Sequence, residues 1–409
     1  MRQFLVSLKK TPMILVVVLV FVIYGFSALG APAEVNEFAI VTSIGLDRLE
    51  DESEGKYEVS LLVFTPVAEL NFVENYKVIS AKADSLSDAM YHAGLYIGRE
   101  VGLSHVKVVV LNERFGQGDL AEELDFLIRN IDMATSTKIV MSNVDAKEVL
   151  KVIQKSDSES SIKVSELLNY NNKFIFTEDS SFETFFSGSL GPTKTALLSY
   201  IRLEDGKKPS QEEQSHGANE QNFDKGMSES KADIKNDGET VVFYDGKQKF
   251  RLSGEQMKTI NFLSGTYQEG DISVENVSKG DFVDATLIFD IVGKRTDYRV
   301  VYENGIPVIL INIDLKLLLT EIQNKDGLVG KDVERMVFED EILDKISSKV
   351  KEYAFEAVSI MRENEVDILD FYTFLNNLSP IKFRKFMKTN EGFFLNNVIF
   401  KVGTRILIE

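Results

Sequence analysis

Three features of the 409-residue sequence predict a multi-domain extracytoplasmic body of α+β and mixed α/β class behind an N-terminal membrane helix. The first thirty residues carry an apolar run, residues 204–238 are almost free of aliphatic side chains, and the two halves flanking that stretch order their strands and helices differently. At roughly 100–200 residues per domain, a chain of this length holds two or three domains. The elements justify the prediction in order.

Arg2, Lys9 and Lys10 precede an apolar run from Met13 to Leu29, broken only by Tyr24, Gly25 and Ser27. About 17 residues rise about 25 Å as a helix, at the short end of what crosses a hydrocarbon core of about 30 Å. Met13, Val16, Val20, Ile23 and Leu29 are the candidate membrane-anchor residues. The run exceeds the apolar core of a signal peptide, yet Ala31-Pro32-Ala33 fits an A-x-A cleavage pattern. A cleaved signal is therefore the alternative to a retained anchor, and a buried core helix is the third reading. Positive charge before the run, with Glu34 and Glu37 after it, places the body outside the cytoplasm.

The body divides into residues 34–203 and 239–409 around a polar, acidic linker at 204–238, with residues 1–33 as anchor or signal. The linker cannot bury enough apolar surface to offset its ordering entropy. The first half alternates: strands at Phe38–Ile44, Tyr57–Phe64 and Tyr76–Ala81, then a helix with Ser85 as its N-cap and Ala89, Ala93, Tyr96 and Ile97 as its buried face. Val106–Leu111 reads as a buried central strand. Asp119 caps a helix whose apolar face is Leu120, Leu124, Leu127, Ile128 and Ile131; a strand follows at Lys138–Met141, and Asp145 caps the next helix. The second half begins with a hairpin across Asp245-Gly246 and continues as a meander turning at Asn304-Gly305. A long helix, about Asp332–Arg362, then places Ile342, Ile346, Val350, Tyr353, Ala357 and Met361 on one stripe, and Asn397–Ile408 closes as a strand. This second grammar predicts an antiparallel sheet backed by a helix.

Composition excludes more than it proposes. With 44% apolar residues the chain can build real cores. A formal charge of −18 repels polyphosphate, so nucleic acid is not an expected partner. The absence of cysteine removes disulfides, thiolate metal sites and thiol nucleophiles together. The three histidines, His92, His105 and His216, stand at no ligand spacing, and Ser104 and His105, if on a strand, point to opposite faces. Gly94, Gly98 and Gly102 read as close helix packing rather than a phosphate cradle, and Glu339-Asp340-Glu341 as a solvated helix start. No catalytic, cofactor-binding or metal-binding residue is assigned, no cofactor or metal is expected, and the protein is expected not to be an enzyme.

The run Glu34-Val35-Asn36-Glu37-Phe38-Ala39-Ile40-Val41-Thr42-Ser43-Ile44-Gly45-Leu46-Asp47 closely resembles the start of the mature Ger(x)C proteins, the GerAC-like C subunits of spore nutrient germinant receptors. The resemblance continues through Gly98–Asn130, returns at Val241–Gly265, and includes Val366-Asp367-Ile368 and the closing strand. It implies a non-enzymatic subunit on the outer face of the spore inner membrane, working with a multi-spanning A subunit and a transporter-like B subunit in receptor assembly and germination signalling. Three departures stand out. Leu29-Gly30-Ala31 occupies the place of the family's lipid-bearing cysteine, so the apolar run must itself hold the protein. The second arginine expected after the helix ending at Asn130 is replaced around Ala134, and Ile368–Phe371 and Thr389–Glu391 stand where an aromatic, glycine-rich segment and a tryptophan are usual. A solitary anchored ligand-binding protein is the alternative reading, and an ectohydrolase using His105 or a carboxylate pair is a third.

The linker reading has a direct check. Limited proteolysis is expected to cut first within Glu204–Gly238; first cleavage within Val106–Leu111 would contradict the division.

Overall fold

The structure, a computed structural model, describes residues 19, 38–64, 76–129, 132–155, 180–204, 233–264, 270–279, 282–324 and 340–409. Met13, Val16, Val20, Ile23 and Leu29 lie outside them, as do Ile131, His216 and Glu339.

The first sheet is built around parallel strands. In chain order its members are β1 (Phe38–Arg48), β2 (Tyr57–Phe64), β3 (Tyr76–Ala83), β4 (Glu100–Gly102), β5 (Val108–Asn112), β6 (Lys138–Ser142), β7 (Thr195–Glu204), β8 (Asp233–Lys235), β9 (Thr240–Tyr244) and β10 (Lys247–Leu252). Across the sheet they run β10-β9-β7-β6-β5-β1-β2-β3, with β4 beside β1 and β8 beside β7. β1, β5, β6 and β7 are mutually parallel, whereas β2, β3, β9 and β10 are added antiparallel on the two flanks. The apolar run read as a central strand is one: Val109 and Leu111 of β5 enter one core while Val108 and Val110 enter the other. A strand covered on both faces needs no polar alternation, which is why its sequence is continuously aliphatic.

Helices cover both faces. On one lie α1 (Leu86–Ile97), α2 (Leu120–Glu123), α3 (Asp125–Ile128) and α5 (Phe182–Leu190); on the other lies α4 (Ala146–Lys155), which buries Ala146, Val149, Leu150 and Ile153. Ser85 and Asp119 cap α1 and α2 as expected, accepting from the backbone N–H of Asp88 and Glu122 at 3.1 Å each. The buried stripe of α1 runs Leu86, Ala89, Ala93, with Ile97 half-buried; Tyr96, expected inside, is 69% exposed because it falls outside that i, i+3, i+7, i+11 row. The helix expected after Asp119 is two short helices broken at Leu124; Leu120, Leu124 and Leu127 are buried, but Ile128 is exposed.

The second sheet has the order β11-β12-β13-β14, with β11 (Gly270–Lys279), β12 (Phe282–Glu303), β13 (Ile306–Gln323) and β14 (Ile399–Ile408). β12 and β13 turn at Asn304 (φ 52°) and Gly305 (φ 87°), the paired positive φ values of a tight hairpin turn. α6 (Gly254–Leu263) and the 25-residue α7 (Asp340–Asn364) back this sheet, and all six stripe residues read from the sequence are buried. The described part of α7 begins at Asp340; its expected start near Asp332 lies outside the described residues. α8 (Phe371–Leu378) and α9 (Pro380–Thr389) follow. β14 joins β13 in parallel, so the expected antiparallel sheet ends on a parallel strand. A tight turn permits only antiparallel neighbours; here the described part of the connection includes α7, α8 and α9, long enough for the crossover that a parallel pair requires.

The hairpin β9–β10 departs furthest from expectation. Its Asp245-Gly246 turn forms with φ values of 49° and 80°. However, the hairpin pairs with β7 and so extends the first sheet rather than opening the second. Its register turns Val241 and Phe243 into the first core, while Val242 and Leu252 face the second. Within the stretch read as linker, Asp233–Lys235 pairs with Arg202–Glu204.

Phe243 is therefore expected to matter beyond its own core. Phe243→Ala should cost about 3–5 kcal/mol in denaturant unfolding, with probes on both sheets shifting together. A shift confined to probes on the first sheet would show the halves to be uncoupled.

Candidate functional site

The densest polar chemistry lies at the carboxyl ends of β1, β5 and β6, the edge at which α/β sheets commonly form ligand crevices. It begins with the Gly45-Leu46-Asp47 end of β1. A side chain at Gly45 would place its Cβ 3.1 Å from Ala146 Cβ and from Leu150 Cδ1, so glycine lets α4 close on the strand. Two residues on, Asp47 accepts from the backbone N–H of Ala146 at 2.6 Å and Lys147 at 3.0 Å. The carboxylate that caps α4 thus comes from β1, and Asp145, which the sequence suggested for the role, is engaged elsewhere. Asp47 is 1% exposed, and burial pushes its pKa up to about 7 against the lowering effect of those two N–H groups. Asp367 repeats the device in the second half, accepting from Phe371 N at 3.0 Å and Tyr372 N at 2.7 Å at the start of α8. Its pKa is also raised to about 7, again chiefly by burial.

Beyond Asp47 the crevice is a network. The buried side chain of Asn112 accepts from Arg48 N at 3.2 Å and donates to Arg48 O at 3.1 Å and to Asp145 at 3.3 Å, joining the ends of β1 and β5. Arg114 donates to Arg48 O at 2.6 Å and to Glu50 at 3.1 Å, and it also pairs with Asp145. On the hairpin side, Tyr200 donates to Glu113, which Arg251 also reaches at 3.1 Å while lying 4.1 Å over the Tyr200 ring. Burial, then the bond to Glu113, pushes the Tyr200 hydroxyl up to about 12. Arg202 pairs with Glu239 at 2.6 Å, closing the row on β7. An open groove of about 660 Å³ runs over Asn112, Glu113, Arg114, Asp145 and Arg251 and is completed by Lys247 and Lys249 of β10; Tyr200, Arg202 and Glu239 do not line it.

The arrangement is compensated. Arg48, Arg114, Arg202 and Arg251 each face a carboxylate, and Tyr200 is held protonated as a donor. Chemically this is a polar hub: it ties β1, β5 and β7, the start of α4 and the hairpin together, and it offers the groove charges of both signs. His92 and His105 are exposed and remote in role, one in α1 beside Tyr91 and the other in a turn. Gly94 lets α1 approach Val101, and Gly98 is a left-handed cap at φ 70°. Among the described residues, no group of three or more His, Asp or Glu side chains is placed to hold a metal ion, and Asp340 and Glu341 open the described part of α7. Sequence reasoning missed the hub because its members come from seven separate segments; the one local signal was the Gly45-x-Asp47 pattern.

Fold and hub together define a two-sheet scaffold protein with a charge-compensated crevice. Residues 32–203 match the family model described as the spore germination protein N-terminal domain, and residues 238–406 match that described as spore germination B3/GerAC-like, C-terminal. The chain belongs to the Ger(x)C family of spore germination proteins. It is 21% identical over 378 residues to spore germination protein KC of Bacillus subtilis (strain 168), covering 87% of this chain and 85% of that protein. The crystal structure of the GerBC protein shares the fold, with a TM-score of 0.51 and 17% identity over 89% of this chain and 96% of that one. None of these descriptions is that of an enzyme.

The two capping carboxyls set a pH dependence. Their folded pKa of about 7 exceeds the unfolded value of about 3.9, so between these limits the folded state binds more protons. Their contribution to stability therefore falls as pH rises from about 4 to 7, by at most about 1.4 kcal/mol per pH unit for each group. Melting temperatures of the purified protein should drop across this range, and the Asp47→Asn, Asp367→Asn double variant should flatten the drop. An unchanged slope in the variant would contradict the assignment. Asp47→Ala, which removes the cap outright, should cost about 2 kcal/mol.

Proposed function

We propose that the chain is a non-enzymatic C subunit of a nutrient germinant receptor, held on the outer face of the spore inner membrane and acting in receptor assembly and signal coupling. The observation that carries this reading is the match of both halves, in order and over most of the chain, to the two domains of the germination family. The partners on this reading are a multi-spanning A subunit and a transporter-like B subunit. A rigid body whose two sheets share one hairpin suits a part that transmits a shift between partners instead of absorbing it.

The anchor is the Met13–Leu29 run, including Met13, Val16, Val20, Ile23 and Leu29, with the body on the extracytoplasmic side. Among the described residues, no helix is long and apolar enough to cross a membrane, and the run, apart from residue 19, lies outside them. The reason to assign the anchor there is chemical: with no cysteine in the chain, thioether lipid attachment has no acceptor.

Deleting residues 1–30 is expected to leave a folded protein that no longer supports nutrient-triggered germination. Normal germination by spores carrying only the truncated chain would show that this tether is dispensable.

A further inference from the structure

We propose that α9 and the groove beside it form a second, peripheral membrane contact: a basic patch that seats on the headgroups of an anionic lipid surface. From Phe371 to Asn390 the chain carries Lys382, Arg384, Lys385 and Lys388 and no carboxylate, within a protein of net charge −18. All four cations are exposed, and among the described residues none makes a salt bridge. A local concentration of cations with no carboxylate partner among the described residues has the opposite sign to the molecule around it. At physiological salt a screening length of about 8 Å lets the near patch, not the distant net charge, set the attraction.

The apolar chemistry beside the cations points to lipid. Leu378 and Ile381 are 55% and 83% exposed at the turn between α8 and α9. They are not the helix's buried face, because Phe383 and Phe386 pack inward and hold α9 to the body. Bulky aliphatic residues projecting next to lysines and an arginine are the combination that an interfacial surface requires: charges for the headgroups and side chains that dip below them. The neighbouring groove, about 710 Å³, is lined by Lys382, Lys385, Asn304, Asn390 and Asn397 and by no carboxylate. Tyr302 also lines it, under Lys382 at 5.4 Å, and its hydroxyl is buried with no hydrogen-bond partner among the described residues. The two ammonium groups of Lys382 and Lys385, with the Asn304 amide beside them, suit a lipid phosphate.

The inference deepens the reading of a membrane-held subunit, and its test needs no receptor. Because the chain contains no cysteine, Ile381→Cys in the full-length protein accepts a single environment-sensitive fluorophore. The labelled chain is bound to phosphatidylcholine vesicles with or without phosphatidylglycerol, and quenching by nitroxide-bearing lipid is measured; co-flotation separately reports the N-terminal tether. The expected result is a blue shift and several-fold stronger quenching on anionic than on neutral vesicles, weakened by added salt. Each cation near an anionic surface raises partitioning about fivefold, so the Lys382→Glu, Lys385→Glu, Lys388→Glu variant should lose nearly all the quenching while still floating. A tethered chain whose label is neither shifted nor quenched, or is indifferent to lipid charge, would overturn the proposal. Shielding that appears only when another receptor subunit is added would assign the patch to a protein and overturn it as well.

Discussion

The structure depends on one shared element, the hairpin β9–β10. Five residues of β9 alternate, as any strand must, so that Val241 and Phe243 complete the core under the first sheet while Val242 enters the core under the second. The Asp245-Gly246 turn then docks on the start of α2, where Leu120 N donates to Gly246 O at 2.9 Å. A side chain at Gly246 would put its Cβ 2.4 Å from an oxygen of Asp119, and the residue's φ of 80° also disfavours anything but glycine. Two folds that read as separate units are thereby made to share hydrophobic burial. A disturbance in either core must be felt at the same ten or so residues.

The polar hub follows from the same constraint. Once the hairpin lies beside β7, its Arg251 comes over Tyr200 and reaches Glu113, which begins the turn after β5. Asn112 and Arg114 continue the connection to β1 and to Asp145. The Asn112 and Tyr200 hydrogen bonds are part-buried and costly to leave unmade, whereas the Arg114–Asp145 and Arg251–Glu113 pairs are exposed and contribute little each. The hub is thus best understood as the polar seam of the joint, with the groove above it as a consequence.

What the sequence made legible was local. Both hairpin turns are encoded by two residues that tolerate positive φ, the caps at Ser85 and Asp119 by a side chain three residues from its donor, and the α7 stripe by a 3.6-residue period. What it concealed was non-local. The cap of α4 comes from Asp47, 99 residues before the N–H it satisfies, so Asp145 was the natural but mistaken choice. The placement of β9 beside β7 and the parallel entry of β14 are likewise set by long-range pairing, which turn chemistry does not specify. The Gly45-x-Asp47 pattern has a physical content, a close approach and a buried cap, that depends on α4 being in place.

The account's central claim is that this rigid two-sheet body works as one part of a larger membrane assembly. The most direct measurement is co-isolation from mildly solubilised spore membranes through a C-terminal tag, with mass spectrometry of what accompanies the chain. The account predicts recovery of a multi-spanning A-type subunit together with a transporter-like B subunit. Recovery of the chain alone, under detergent that preserves other spore membrane complexes, would contradict it and leave a solitary binding protein with the family's fold.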